Sequence, residues 1–580
     1  MATVAALGSD FSGNGNYWTP NNFSVTAGAG NDSLVDTPTN YGTDTGIGGE
    51  VRGNYATWNP LAMTGTYSNG NLDFTTAAGD STLVSTMAVS SGKWYCEFSP
   101  TAITANCQIG IVAATARNGF APTNTNQHPS IVYVSNTGNK FINGTGTSYG
   151  ATYTTNDVIG VALDLDNLTI QFYKNGSAQG SITGVTASTY CFAVGDGDSV
   201  TTWSGWANFG QRAFAYTAPS GFKALCTTNL PTPTIGATST TQADNYFDVD
   251  VYTGVAGTYT KSGLGFQPDL VWGKARNAAA AHRLVDAVRG GTLKLTTSST
   301  DAESTDVAAY TFTSDGYTIP GGVNHNNNTG TTYAAWLWNA GGSNATNTSG
   351  TITSTVRANT TSGFSIVTYT GTGSAATIGH GLGVAPSMMI VKWRTGGSTQ
   401  SWAVYHASLG ATKYLALNTT AAEASATSVW NDTAPTSSVF SVGNDNWTNA
   451  STWTYVAYCF APVAGYSAFG SYTGNGSGGA AGTGDGPFVY TGFRPRWIMV
   501  KVISGTTANW SIIDTARSPY NFANLELWPS SSAAEQTYAI ADILSNGFKL
   551  RSDSGQWNTN GAVYIYAAFA EAPFKYSLAR

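Results

Sequence analysis

The sequence predicts an all-β chain made of several small antiparallel domains, and three observations point there. Lys, Arg, Asp and Glu make up 10% of the 580 residues, against about a quarter in an ordinary soluble protein. Apolar and hydroxyl residues alternate in short runs broken by Gly, Asn or Asp clusters, the pattern of strands joined by turns. The third observation is a module of roughly 110 residues written three times, too long for a solenoid unit of about 20 to 50 and long enough for a small domain. Helical signals are nearly absent, and only Ala278 to Val288 reads as a short helix.

Residues 1–60 read as an extended N-terminal segment. Its first residues, Met1 to Ser12, lack a basic region and a long apolar core, and the fragment-like start Leu7 to Gly15 reads as the end of a further domain. No run approaches the ~18 apolar residues of a membrane-spanning helix.

Residues 61–232 form the first domain. Gly92-Lys93-Trp94-Tyr95-Cys96-Glu97-Phe98 is a strand with Trp94, Cys96 and Phe98 on one face. A hairpin follows, in which Val161, Leu163 and Leu165 face Ile170 and Phe172 across the turn at Asp166 to Leu168, and Asn175-Gly176 marks the next turn. The words GKWYCEF, DVIGVALDLDNLTIQFYKNG and, from Ala207 to Phe214, ANFGQRAF resemble those of the SPRY family. That resemblance implies an antiparallel β-sandwich that binds partners through loops at one end and has no catalytic role.

The three modules span 233–345, 346–465 and 466–580 and are expected as small β-sandwiches in a row. Pro268, Pro386 and Pro495 are each followed by an apolar strand ending at Lys274, Lys392 or Lys501. Next come Leu293-Lys294-Leu295, Leu415-Ala416-Leu417 and Leu525-Glu526-Leu527, then Glu303, Glu423 and Glu535. Each copy closes on a strand with an aromatic at both ends: Tyr333 to Trp338, Tyr455 to Phe460 and Tyr564 to Phe569. Pro231 to Thr234 and Gly341 to Asn359 read as linkers, and Gly474 to Gly486 as a long loop or a third linker.

Candidate chemistry is sparse. Asp164 with Asp166, and Asp248 with Asp250, are the carboxylate pairs that a glycosidase reading would need, but the first leads into a turn and alternation puts the second on the solvent side. The three recurring glutamates lack an equally recurrent acid, because His406 stands where the other copies have Asp286 and Asp514; ion-pair or turn roles are expected of them. The three lysines are expected to guard a sheet edge or reach a carboxylate. Gly195-Asp196-Gly197-Asp198 lacks the spacing of an EF-hand and reads as a turn. The five histidines and five cysteines show no metal spacing, and no serine sits in a nucleophile elbow. Catalytic residues, metal and cofactor are therefore expected to be none, and the cysteines to be reduced core thiols.

Aromatic rings are the ligand-binding candidates, since Trp and Tyr offer rigid faces to apolar surface. After the strands holding Tyr317, Phe440 and Phe548, an Asn/Gly-rich loop carries His325, Trp447 and Trp557, and Trp203 and Trp206 occupy a similar turn in the first domain. Two readings stay open: each ring is a platform for a ligand, or a plug over its own core.

A net charge of −7 with no basic stripe argues against a nucleic-acid partner. Taken whole, the chain resembles large virion proteins of tailed phages, particularly of marine bacteria, on YWTPNNFSVTAGAGNDSLVDTPTNYG, GNYATWNPL, VYTGFRPRWIMVK and IYAAFAEAPFKYS. The resemblance implies a virion tail-fibre or related surface protein, assembled in the host cytoplasm. Its expected partners are other virion proteins and a host-surface glycan or receptor, with no membrane insertion, and the fibre analogy implies a homotrimer. A decoration or connector protein without a host ligand is the alternative, and a polysaccharide depolymerase a third.

Overall fold

The computed structural model describes Thr19, Asn21 and residues 43–571, apart from short stretches of which the longest is 115–128. It is almost entirely β, with a single four-residue α-helix, Thr427–Trp430, among the described residues. Two compact units divide at the proline-rich linker, one running to Thr232 and the other from Pro233 to Pro573.

In the first unit a seven-stranded and a six-stranded antiparallel sheet face each other. The expected hairpin is present: Ile159–Asp164 pairs with Thr169–Lys174 in a register that sets Leu163 against Ile170 and Val161 against Phe172. Asn175 and Gly176, at φ +48° and +78°, make the following two-residue turn, whose positive φ values suit the twist of a hairpin. Between the sheets Trp58, Trp94, Phe98, Phe172 and Phe192 are buried, and Trp58 belongs to the lead-in, which bridges Ser85 and Cys226 through Trp58 and Tyr55. All five cysteines are buried and free.

In the second unit each module is organised on one four-stranded antiparallel core. Strand orders are Phe247–Thr253, Thr332–Trp338, Leu270–Ala275, Arg283–Asp286 in the first; Phe364–Thr370, Thr454–Phe460, Met388–Thr395, Ala403–His406 in the middle; and Ser467–Thr473, Val563–Ala570, Pro495–Val502, Ser511–Asp514 in the third. Both faces of these sheets are buried. In the first module Leu270, Trp272, Trp336 and Trp338 face a cluster shared by all three modules, whereas Val271, Tyr333, Ala335 and Leu337 face that module's own outer layer. The middle module repeats this, with Met388, Ile390, Tyr458 and Phe460 on the shared side and Met389, Val391, Ala457 and Cys459 on its own. Strands covered on both faces read as continuous apolar runs, as LVW, MMIV and WIMV do.

The modules therefore close on one another. The last aromatics of the three repeats, Trp338, Phe460 and Phe569, meet around one axis with centroid separations of 6.1, 5.8 and 5.9 Å. An apolar cavity of about 10 Å³ at that axis, lined by Trp338, Met388, Trp497 and Phe569 among others, has room for about one water and no larger ligand.

Several sequence expectations are corrected. Gly341 to Asn359 is no linker: Ala345–Asn347 and Ser354–Asn359 add two strands to the middle module's sheet. The helix expected over Ala278 to Val288 is absent, because Arg283–Asp286 pairs with Leu270–Gly273 and tertiary pairing overrides alanine propensity. Gly474 to Gly486 is a loop of the third module, where Asn475 and Ser477 bond Asn558. Lys274, Lys392 and Lys501 lie on interior strands flanked on both sides, so they protect no edge.

Candidate functional site

Two places in the second unit concentrate polar chemistry: the seams between modules and the loops that carry the candidate rings.

The same contacts close each seam. The backbone N–H of Glu303 donates to Arg394 O, that of Glu423 to Ile503 O and that of Glu535 to Arg276 O, each acceptor two residues beyond the repeat lysine of the next module. A ring nitrogen also reaches back across every seam: Trp402 Nε1 to Thr296 O at 3.0 Å, Trp510 Nε1 to Ala416 O at 2.9 Å, and His282 Nε2 to Trp528 O at 2.9 Å. These contacts align Leu295, Leu415 and Leu527, each eight residues before its glutamate. Leu417 is thus not the counterpart of Leu295 that the short sequence match suggested. Glu526, Tyr414 and Lys294 become equivalent.

Seams one–two and three–one carry a buried ion network. Arg289 pairs with Asp286 at 2.5 Å and Glu303 at 2.8 Å, and Arg394 of the middle module joins Glu303 at 2.9 Å. Arg517 pairs likewise with Asp514 at 2.7 Å and Glu535 at 2.8 Å, with Arg276 of the first module at 2.8 Å. A second-module Tyr458 hydroxyl donates to Asp286, and a first-module Trp336 indole to Asp514. Burial pushes the Glu303 carboxyl up, but the guanidinium groups of Arg394 and Arg289 outweigh it and hold the group below its usual value. At seam two–three His406, Leu409 and Ile503 replace the Asp, Arg and Arg. His406 accepts from Ser408 N–H at Nδ1, 3.1 Å, so Nε2 carries the proton given to Tyr566 O, 3.1 Å. Burial lowers that imidazole to about 4 and keeps it neutral.

The repeat lysines are fully buried, and their ammonium groups meet backbone carbonyls: Lys274 to Ala275, Lys392 to Gln400, and Lys501 to Ala508 and Thr420. Burial depresses them to about 8, 7 and 8 respectively.

Each carboxylate considered for catalysis has a structural partner. Asp164 pairs with Lys93 and Asp166 accepts from Gly92 N–H. Asp248 pairs with Arg496. Asp250 does not face solvent as alternation suggested: it is buried beneath the first module's outer layer and accepts from the hydroxyls of Tyr259 at 2.9 Å and Tyr317 at 2.8 Å. Burial raises its carboxyl above the ordinary range. Glu423 pairs with Lys413. Among the described residues no group of three or more His, Cys, Asp or Glu is placed to hold a metal ion.

The candidate rings divide. Trp203 is 2% exposed, with its indole N–H bonded to Gly195 O at 2.8 Å and its ring edge-on to Phe74. Trp206 is half-buried and carries the Arg212 guanidinium over its ring at 4.8 Å. His325 lies outside the described residues. Trp557 is 1% exposed and donates to Glu526 Oε1 at 2.7 Å, so it plugs its module. Trp447 is half-buried and meets Tyr414 edge to face at 5.2 Å. Trp447 and Trp206 keep part of their ring surface exposed, whereas Trp203 and Trp557 are buried.

A recurring loop staple escaped the sequence reading. Asn327, Asn449 and Asn558 are fully buried; their amides bond carbonyls at Ile319, Gly443 and Ser477 and accept from the N–H of Val255, Thr372 and Asn475. Beside them Tyr252 stacks on Tyr333, Tyr369 on Tyr455 and Tyr472 on Tyr564 at 5.0–5.2 Å. The signal was available, since each asparagine stands six residues before the tyrosine that opens the closing strand.

Two family profiles match the chain, one in each compact unit. The SPRY domain profile matches residues 93–195. Among solved structures, the SPRY domain of human HERC1 is similar at 22% identity, over 26% of this chain and 96% of that one, with a TM-score of 0.24. The stonustoxin structure is similar at 15% identity, over 26% of this chain, with a TM-score of 0.23; the match spans 27% of that chain. No curated protein matches. The profile described as Domain of unknown function (DUF7483) matches residues 242–573, the closed three-module unit and more than half of the chain, which therefore belongs to that family.

Proposed function

We propose that the chain is a virion surface protein of a tailed phage, a tail-fibre component that contacts a host-surface glycan or protein and other virion proteins, with homotrimeric assembly. The observation that carries this reading is a module multiplied three times beside a SPRY domain without multiplication of any catalytic group. Binding surfaces in the SPRY domain and in the module unit, linked on one chain, gain affinity through high effective concentration, which suits attachment. The carboxylates an alternative depolymerase would use are engaged in ion pairs and tyrosine hydrogen bonds, which supports a binding role.

A connector or decoration protein is the second reading, favoured by the internal burial of Trp203 and Trp557. Labelled protein incubated with intact cells of bacteria susceptible to tailed phages separates the two. Attachment expects saturable binding to some hosts; binding to none of them, with retained binding to purified virions, selects the connector.

A further inference from the structure

We infer that Tyr414 and Trp447 of the middle module form a saccharide-binding platform, flanked by the amides of Asn444 and Asn446. This deepens the attachment reading and rests on it. The inference starts from a departure between equivalent positions. In the third module the loop tryptophan, Trp557, is drawn inward because Glu526 beneath it accepts its indole N–H. In the middle module Tyr414 occupies the place of Glu526, and a phenol ring offers an indole no carboxylate. Trp447 accordingly stays half-buried against the Tyr414 ring, and its indole N–H has no hydrogen bond among the described residues.

The surroundings are rigid and polar. Asp445 caps the loop, accepting from Trp447 N–H at 2.9 Å and from the Ser428 hydroxyl at 3.0 Å. Asn449 staples the loop base through Gly443 and Ser374. Asn444 and Asn446 are left exposed on either side of Asp445. Two half-buried rings held edge to face, on a strand and on a loop capped by Asp445, lose little entropy on binding, and exposed amides both donate and accept. A pyranose ring, with apolar C–H faces and a rim of hydroxyls, matches that combination; a purely apolar or strongly charged ligand does not.

The test uses the full chain against immobilised capsular polysaccharide and lipopolysaccharide O-chains from host candidates, with cell binding measured in parallel. Trp447→Ala removes the ring, Tyr414→Glu rebuilds the third module's acceptor, and Tyr414→Phe keeps the aromatic face. Expected are losses of at least about tenfold for the first two, the scale of a binding hot spot, and a change within about twofold for Tyr414→Phe. Tyr414 packs against the middle module's core, so melting curves of each variant separate a lost platform from a folding defect, and a Tyr414→Glu variant that melts with the wild type while binding is lost is the informative case. Polysaccharide binding that survives both Trp447→Ala and Tyr414→Glu overturns the inference and leaves attachment standing. Cell binding without polysaccharide binding overturns the saccharide class alone, and binding to neither overturns both readings.

Discussion

Seams one–two and three–one join a buried aspartate, a buried arginine and a glutamate to a half-buried arginine of the next module, whereas seam two–three does the same job with a histidine, a leucine and an isoleucine. All three keep the glutamate N–H to carbonyl bond and the ring nitrogen reaching back. The difference teaches that closure depends on the backbone contacts and the shared apolar core, while the ion network is an interchangeable insert. That agrees with the energetics of buried ions: a complete set can be exchanged for apolar groups at little cost, but a broken set leaves an uncompensated charge.

The largest effect is expected from breaking one network in part. Arg517→Ala strands Asp514 and Glu535, and Arg289→Ala strands Asp286 and Glu303; each should cost about 3–5 kcal/mol in denaturant unfolding of the second unit. The comparison sharpens with the multiple variant Asp286→His, Arg289→Leu, Arg394→Ile and Leu293→Lys, which gives seam one–two the pattern of seam two–three, including the partner that Glu423 finds in Lys413. It should cost less than Arg289→Ala alone. A cost that exceeds the single variant would show the networks to be indispensable.

The legible part of this molecule was its local pattern. Alternation and turns gave the all-β class, the hairpin at 159–174 and the triplicated module, because strand period and turn chemistry are properties of neighbours in sequence. Closure was not read, although the apolar runs LVW, MMIV and WIMV carried its signal: a strand covered on one face alternates, and these do not. The burial of Asp250 and of the three lysines follows from the same second cover. Trp557 as a plug and Trp447 as a half-open ring were indistinguishable in sequence, because the residue that decides, Glu526 or Tyr414, sits on a strand whose register the LxL match misaligned by two.

A smaller effect concerns the lysines present at every seam. Burial depresses their folded pKa to about 7 to 8, below the ~10.4 of an unfolded lysine, so the folded state binds fewer protons across that interval and stability rises with pH through it. Unfolding free energy measured from pH 7 to 9.5 should climb, and Lys392→Met should flatten part of the slope. Above pH 10 the buried tyrosines, raised by burial, reverse the trend. Smallest of all is Lys413→Ala, which breaks a half-exposed pair and should cost no more than about 1 kcal/mol.

The most direct test of closure is calorimetry of the full chain. The account predicts that residues 233–573 unfold in one transition, with calorimetric and van't Hoff enthalpies equal for that unit, and that Arg289→Ala lowers the whole transition. Three separable transitions, of which Arg289→Ala moves one, would mean that the modules are independent beads and would contradict it.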